Sequence, residues 1–317
     1  LKVGRVTYGC WCDDRGKVVD DGTVARLDDT HFRMTAAEPT YHWLAKLAPG
    51  FDVEIEDSSA RLGALALQGP TSRDILGAST DIDMDGLRFF GAARGRLGES
   101  DVWITRTGYT GDLGYEIWCD SEDALGVWDT VMDVGRDYGI RPAGIDALDL
   151  ARIEAGFIML GVDYFSAPKV ILESRKSTPY ELGLGWTINL DREPFMGQAA
   201  LKHEKENGSI WKLVGLEMSW EGLEELYESY DLPPSLPPAA SRSAVPIYRG
   251  DRQVGQATSH AWSPILKKSI SIASVKTRHG ELGTKLEMEH TVEYERRKVD
   301  ATVVEMPFFN PERKRKP

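Results

Sequence analysis

An acidic pair occurs twice in the stretch GKVVDDGTVARLDDTHFRMT (16–35), as Asp20-Asp21 before Gly22 and as Asp28-Asp29 before Thr30. Between short β-branched runs, an Asp-Gly step is the ordinary signal of a hairpin turn. The chemical alternative is a carboxylate that holds an amine or orients a reacting nitrogen, where general acid–base help contributes roughly 10²–10⁴-fold. Asp28-Asp29 serves as the internal control for the turn reading of Asp21. A second candidate is Glu116, in GYTGDLGYEIW (108–118). The glycines at 108, 111 and 114 permit close backbone approach, and Glu116 follows in an aromatic strand beside Tyr115 and Trp118. A carboxylate accepts two parallel hydrogen bonds, so a planar heterocycle with adjacent N–H groups suits it. The pattern by itself favours a glycine-rich hairpin whose Glu faces solvent, and an Asp21 that only turns the chain.

Other motifs carry less chemistry. LALQGPT has too few glycines for a phosphate loop and reads as a structural strand-to-helix turn. Asp149 and Arg152 stand at i,i+3, the spacing of an exposed helix pair. Cys10 and Cys12 share a strand face with no second pair to complete a metal site, so buried, inert thiols are expected. His260 in SHAWSPIL reads as structural.

These residues must be positioned by a chain of 317 residues with 41% hydrophobic content, enough for two domains and a real core. A net charge of −12 argues against a nucleic-acid or anionic-membrane surface. The basic cluster ERKRKP sits at the tail, where fraying is expected. No stretch approaches the roughly 20 apolar residues of a membrane span. Three cysteines fit a reducing compartment, and the expected location is cytoplasmic. The scattered histidines argue against a metal enzyme.

Residues 3–35 alternate as antiparallel strands, and 39–48 read as a helix with Trp43, Leu44 and Leu47 on one face. Thr71 is the expected N-cap of a helix after the Gly-Pro break. Ser121 is expected to cap a helix over 122–138, with Ala124, Leu125, Trp128, Val131 and Met132 on one side and Gly139 as its stop. A further helix is expected over 143–155. The segment 219–246 is acidic and then Pro-rich (DLPPSLPP), and 246–308 reads as short strands suited to a small barrel or sandwich. The fold class is therefore α+β followed by a β-rich C-terminal domain.

In order and spacing, Tyr8, VVDDGTV, LALQGPTSRDIL, TGYTGDLGYEI, ARIEAGF, TPYELGLGW, FMGQAAL, TSHAWSPILKKSISIASV and VVEMPFF resemble the glycine-cleavage T-protein, the tetrahydrofolate-dependent aminomethyltransferase. The resemblance covers nearly the whole chain. It implies a three-domain cloverleaf with two interleaved α/β folate-binding domains and a C-terminal β-barrel. The implied division is 1–210 as the folate-binding region, N-terminally incomplete, 211–245 as an insertion or linker, and 246–317 as the barrel. The resemblance makes Asp21 the catalytic carboxylate beside the folate's reactive nitrogens, both turn-forming element and site. It makes Glu116 the pterin-gripping residue and Tyr8 and Tyr109 folate contacts. It implies tetrahydrofolate as co-substrate, no metal, and a small-molecule one-carbon donor. The macromolecular partner implied is an amine dehydrogenase or a lipoyl carrier protein.

Three positions depart from the family pattern: Leu148 replaces an arginine, Ala37 an asparagine and Leu160 a tyrosine. They imply a retained folate half and a rebuilt donor half. The activity expected is transfer of a methylene or methyl group from an amine-type donor to tetrahydrofolate. The alternatives are an O- or S-demethylase giving methyl-tetrahydrofolate, and a non-catalytic folate-binding protein.

Overall fold

The computed structural model describes residues 1–38 and 40–316; Pro39, the first residue of the expected helix 39–48, lies outside them. The backbone divides into two compact units. The first comprises Leu1–Gly9, Asp20–Ala143 and the chain from Pro311, and the second Cys10–Val19 and Gly144–Asn310.

A three-stranded sheet is built from β1 (Arg5–Cys12), β2 (Val18–Arg26) and β3 (Phe32–Ala36), in that order. Asp20, Asp21 and Gly22 lie inside β2, so the turn expected at Asp21-Gly22 is not there. The reason is strand contact. Gly22 faces Ala36 on β3, and a Cβ at Gly22 would meet the Thr35 carbonyl oxygen at 1.9 Å. The glycine serves close strand approach rather than a reversal of direction. Asp28 does form a turn: its Oδ1 accepts the N–H groups of Thr30 and His31, both at 2.9 Å. Those bonds hold its carboxyl below the usual carboxylate range.

Helix α1 (Tyr41–Leu47) buries none of its residues. The rest of the first unit is an antiparallel sheet of β4 (Leu62–Gln68), β5 (Ala92–Leu97), β6 (Ser100–Thr105) and β7 (Gly114–Asp120), in the order β4-β7-β6-β5. Helices α2 (Ser72–Ser79) and α3 (Ala124–Gly135) pack on it through a core including Ile75, Leu76, Ile104, Ile117, Val127 and Val131. Thr71 precedes α2 without a side-chain cap, and the turn Ser121–Asp123 precedes α3 likewise. On α3 the buried line is Val127, Val131 and Gly135, while Leu125 is 79% and Trp128 43% exposed. Leu125 lies two residues before Val127, which in a helix is the opposite side, so the expected face was rotated. Gly139 closes this region in the left-handed conformation, as expected.

The basic tail does not fray between Glu312 and Lys316. The buried Arg106 guanidinium donates to the carbonyls of Leu87 (3.1 Å), Lys314 (3.2 Å) and Lys316. Arg313 makes a two-armed ion pair with Asp112, each arm 2.6 Å. A planar fork of donors matches a row of carbonyls well, and this is what fixes an otherwise solvated segment.

The second unit contains α4 (Ile145–Glu154), α5 (Gln198–Asn207), β8 (Trp211–Met218), α6 (Trp220–Glu228), β9 (Val245–Arg249), β10 (Arg252–Ser263), β11 (Lys268–Lys276), β12 (Lys285–Val292) and β13 (Glu295–Val304). The six strands close into a barrel in the order β10-β11-β8-β13-β12-β9. The barrel therefore begins at Trp211 rather than at 246. Val214, Leu216 and Met218 alternate into its core, and α6 adds Leu223 and Tyr227 to the same cluster. The acidic, Pro-rich segment is an excursion between two barrel strands, not a border.

The expected exposed pair Asp149–Arg152 is buried. Arg152 donates to Asp149 at 2.7 Å and to Asp163 at 2.8 Å, and Arg242 adds a 2.7 Å bond to Asp149. Asp163 Oδ1 also accepts the hydroxyls of Thr258 (2.5 Å) and Ser259 (2.7 Å). A register shift between Ala257 and Ser259 interrupts the β10–β11 pairing where these two consecutive hydroxyls meet one carboxylate. Ser263 donates to Glu154 at 2.5 Å. The TSxxxSP motif thus ties the α4 region to the barrel.

His260 also sits in the barrel. Its Nδ1 is sealed from solvent, with no hydrogen-bond partner among the described residues. Burial, with repulsion from His290, pushes its pKa down to about 4, and burial lowers His290 as well. An unfolded histidine protonates near pH 6.5. The unfolded chain therefore binds more protons between the two values, and stability present above about pH 6.5 is lost as pH falls toward 4. The expected loss is on the order of 2–3 kcal/mol. Urea unfolding at pH 7 and pH 4.5 measures it. His260→Gln should flatten the dependence, and an unchanged slope would refute the assignment.

Candidate functional site

On β1 and β2 the structure joins two of the expected residues. The Tyr8 hydroxyl donates to Asp21 Oδ2 at 2.6 Å, across a sequence separation of 13. Both side chains are half-buried. Strand alternation sends the preceding Asp20 the other way, where it is buried and accepts the backbone N–H of Asp21 (2.8 Å) and of Glu38 (3.2 Å). The doublet therefore splits its work. Asp20 fixes the backbone after β3, and Asp21 presents a carboxylate already oriented by a phenol.

Glu116 is positioned by register. Tyr115, Ile117 and Cys119 of β7 point into the helix-covered core, so Gly114, Glu116 and Trp118 take the other face. Thr105 on β6 lies directly opposite Glu116. Thr107 Oγ1 donates to Glu116 Oε2 at 2.6 Å, and Thr105 Oγ1 stands 3.3 Å from the same oxygen. Trp118 Nε1 donates to Thr105 at 3.3 Å, which completes a relay of side chains behind the carboxylate. Both hydroxyls meet the same carboxylate oxygen, Oε2. Such an anchored acceptor can take two adjacent N–H groups of a flat ring without first giving up rotamer freedom.

The glycine-rich loop before β7 is shaped by Gln68 at the end of β4. Its Nε2 donates to the Tyr115 carbonyl at 3.1 Å, and its Oε1 accepts the Thr110 hydroxyl at 2.9 Å. A Cβ at Gly108 or at Gly114 would stand 2.0 Å from Gln68 Oε1, so both positions make room for this side chain. LALQGPT is thus a structural turn, as expected, and also the staple of the loop that carries Tyr109. Tyr109 is half-buried in that loop. Among the described residues, no group of three or more His, Cys, Asp or Glu could hold a metal ion.

Comparison with known proteins decides the family. The profile of the GCVT N-terminal domain matches residues 1–192, and that of the glycine cleavage T-protein C-terminal barrel domain matches residues 212–310. The chain belongs to the glycine cleavage T-protein family. An aminomethyltransferase of Geobacillus thermodenitrificans is 34% identical over 315 residues, covering 98% of this chain and 78% of the relative. One of Bacillus cereus strain AH187 is 32% identical with the same coverage. The crystal structure of the glycine cleavage system aminomethyltransferase T from Bartonella henselae shares the fold, with a TM-score of 0.78 at 23% identity. It is matched over 98% of this chain and 77% of that one.

Within this T-protein family chain, Ala37 falls in the first unit and is exposed, while Leu148 and Leu160 fall in the second and are half-buried. Sequence reasoning missed Thr105 and Thr107 as supports of Glu116, and Gln68 as the support of the loop before it. The alternation of TRT before GYTG was the available signal, since residues two apart share a strand face.

The close approach at Gly22 is testable. Gly22→Ala should cost roughly 2–3 kcal/mol in urea unfolding, because the obstructing Thr35 oxygen is backbone. Gly126→Ala on α3, where among the described residues nothing beyond the adjoining residues and the helix's own backbone lies within 4 Å of the added carbon, should be neutral or stabilising. Equal effects at the two positions would contradict the contact.

Proposed function

We propose that this chain transfers a one-carbon unit from an amine-type donor to tetrahydrofolate, as an aminomethyltransferase does. The observation that carries the reading is the 2.6 Å bond from Tyr8 to Asp21, which sets a carboxylate on the strand position where the family pattern places its catalytic aspartate. Relatives named aminomethyltransferase at 31–34% identity support it.

The chain's residues divide the task. Glu116, anchored by Thr107 and Thr105, accepts the amino group and ring N–H of the pteridine, each charge-assisted bond contributing roughly 1.5–3 kcal/mol. Tyr109 lines the same loop as a folate contact. Tyr8 orients Asp21. Asp21 holds the reacting nitrogen or the donor amine and stabilises positive charge that develops as an aminomethyl carbon bonds to the folate nitrogens, leaving its donor and releasing its amine as ammonia. Holding two reactants in place removes much of the barrier to such a transfer. The folate-binding part of this reading is residues 1–210. A lipoyl carrier protein or an amine dehydrogenase is the partner class that would deliver the donor. A cytoplasmic location belongs to the same reading and rests on the cysteine content.

Incubation with tetrahydrofolate and a panel of aminomethyl and methyl compounds, with mass analysis of the folate product, tests the reading. Methylene-tetrahydrofolate is expected. A methyl adduct would favour the demethylase alternative, and folate binding without any turnover a non-catalytic role. Asp21→Asn should lower turnover by about 10²–10⁴-fold with folate affinity nearly kept. Glu116→Gln should mainly weaken folate binding. If Asp21→Asn turns over normally, the catalytic assignment fails.

A further inference from the structure

Arg33, on β3, is a charged group that feels Glu116 and that the proposed function leaves unused. Its guanidinium lies 4.2 Å from the centroid of the Trp118 ring. Trp118 is two residues from Glu116 on β7 and shares its face. The Arg33 Nη2 is sealed from solvent and has no hydrogen-bond partner among the described residues. Burial pushes its pKa down to about 10, and the opposing pull comes from Glu116. A guanidinium stacked on an indole is held rigidly, with its N–H groups pointing outward in the ring plane. A donor left unsatisfied in that state costs free energy unless something accepts from it.

Glu116 can only accept and Arg33 can only donate. With Arg33 lying on the Trp118 ring and Glu116 two residues from that ring on the same strand face, the pair can read a flat edge in a fixed order: an acceptor opposite Arg33, then two donors opposite Glu116. A 2-amino-4-oxo pteridine presents that order through its 4-oxo oxygen, its N3–H and its 2-amino group. A 2,4-diamino pteridine does not, because it turns an amino group toward the guanidinium. We propose that Arg33 is a specificity-determining residue, donating an N–H to the 4-oxo oxygen of the pteridine that Glu116 grips. The proposal rests on the folate-binding reading above. It adds the discrimination between 4-oxo and 4-amino rings.

The test is calorimetric titration of the full chain with tetrahydrofolate and with its 4-amino-4-deoxy analogue. The chain as it stands should bind the 4-oxo ligand at least tenfold more tightly. Arg33→Met, which keeps apolar cover on Trp118, should weaken tetrahydrofolate about tenfold or more and leave the 4-amino analogue nearly unmoved. Arg33→Gln, which keeps an N–H donor, should restore part of the preference. Equal weakening of both ligands by Arg33→Met would mean a merely structural role and overturn the proposal, as would an unchanged ratio. If the unaltered chain binds neither ligand, the folate reading itself falls and this inference with it. Binding with no 4-oxo preference overturns this inference alone.

Discussion

The candidate ligand face depends on one cross-strand register, the pairing of Thr105 with Glu116. Directly opposite residues in an antiparallel pair place their side chains on the same face, so a hydroxyl is delivered to the carboxylate without any loop having to fold over it. A one-residue slip of β7 would send Glu116 into the helix-covered core and bring Tyr115 out. The apolar alternation of Tyr115, Ile117 and Cys119 therefore protects the chemistry on the other face. Packing energy against Ile75, Leu76 and Val127 fixes the register, and the register fixes the site.

Buried charge organises the second unit in a different way. Arg152 sits between Asp149 and Asp163, and the latter gathers two hydroxyls from β10. Taking such groups from water is costly unless their bonding is nearly complete, so the arrangement tolerates few alternatives. Arg106 does comparable work in the first unit, where carbonyls of the tail take the place of carboxylates.

Much of this was legible in the residue order. Alternation over residues 3–35 indicated the strands of the first sheet, and the Asp28-Asp29 turn followed from side-chain chemistry confined to neighbouring residues. The even, turn-separated pattern of 246–308 indicated a barrel or sandwich. What failed, failed for nonlocal reasons. Asp21-Gly22 has the local signature of a turn, yet the requirement of Thr35 for space at Gly22 overrides it. Asp149 and Arg152 look like a solvated helix pair until Asp163 and Arg242 are brought against them. The tail looks free until Arg106 is seen to reach it.

The sequence alone determined the residue types at the candidate site, the family they resemble and the periodicities that make strands and helices, because those depend on chemistry within a few positions. The tertiary structure alone decided that Tyr8 meets Asp21, that Thr107 and Thr105 stand behind Glu116, and that Arg33 lies on Trp118 with an unmet donor. Each of these joins different elements of the fold. Hydrogen bonds reach only about 3 Å, so which distant residues come that close is settled by packing and register, which no local pattern encodes.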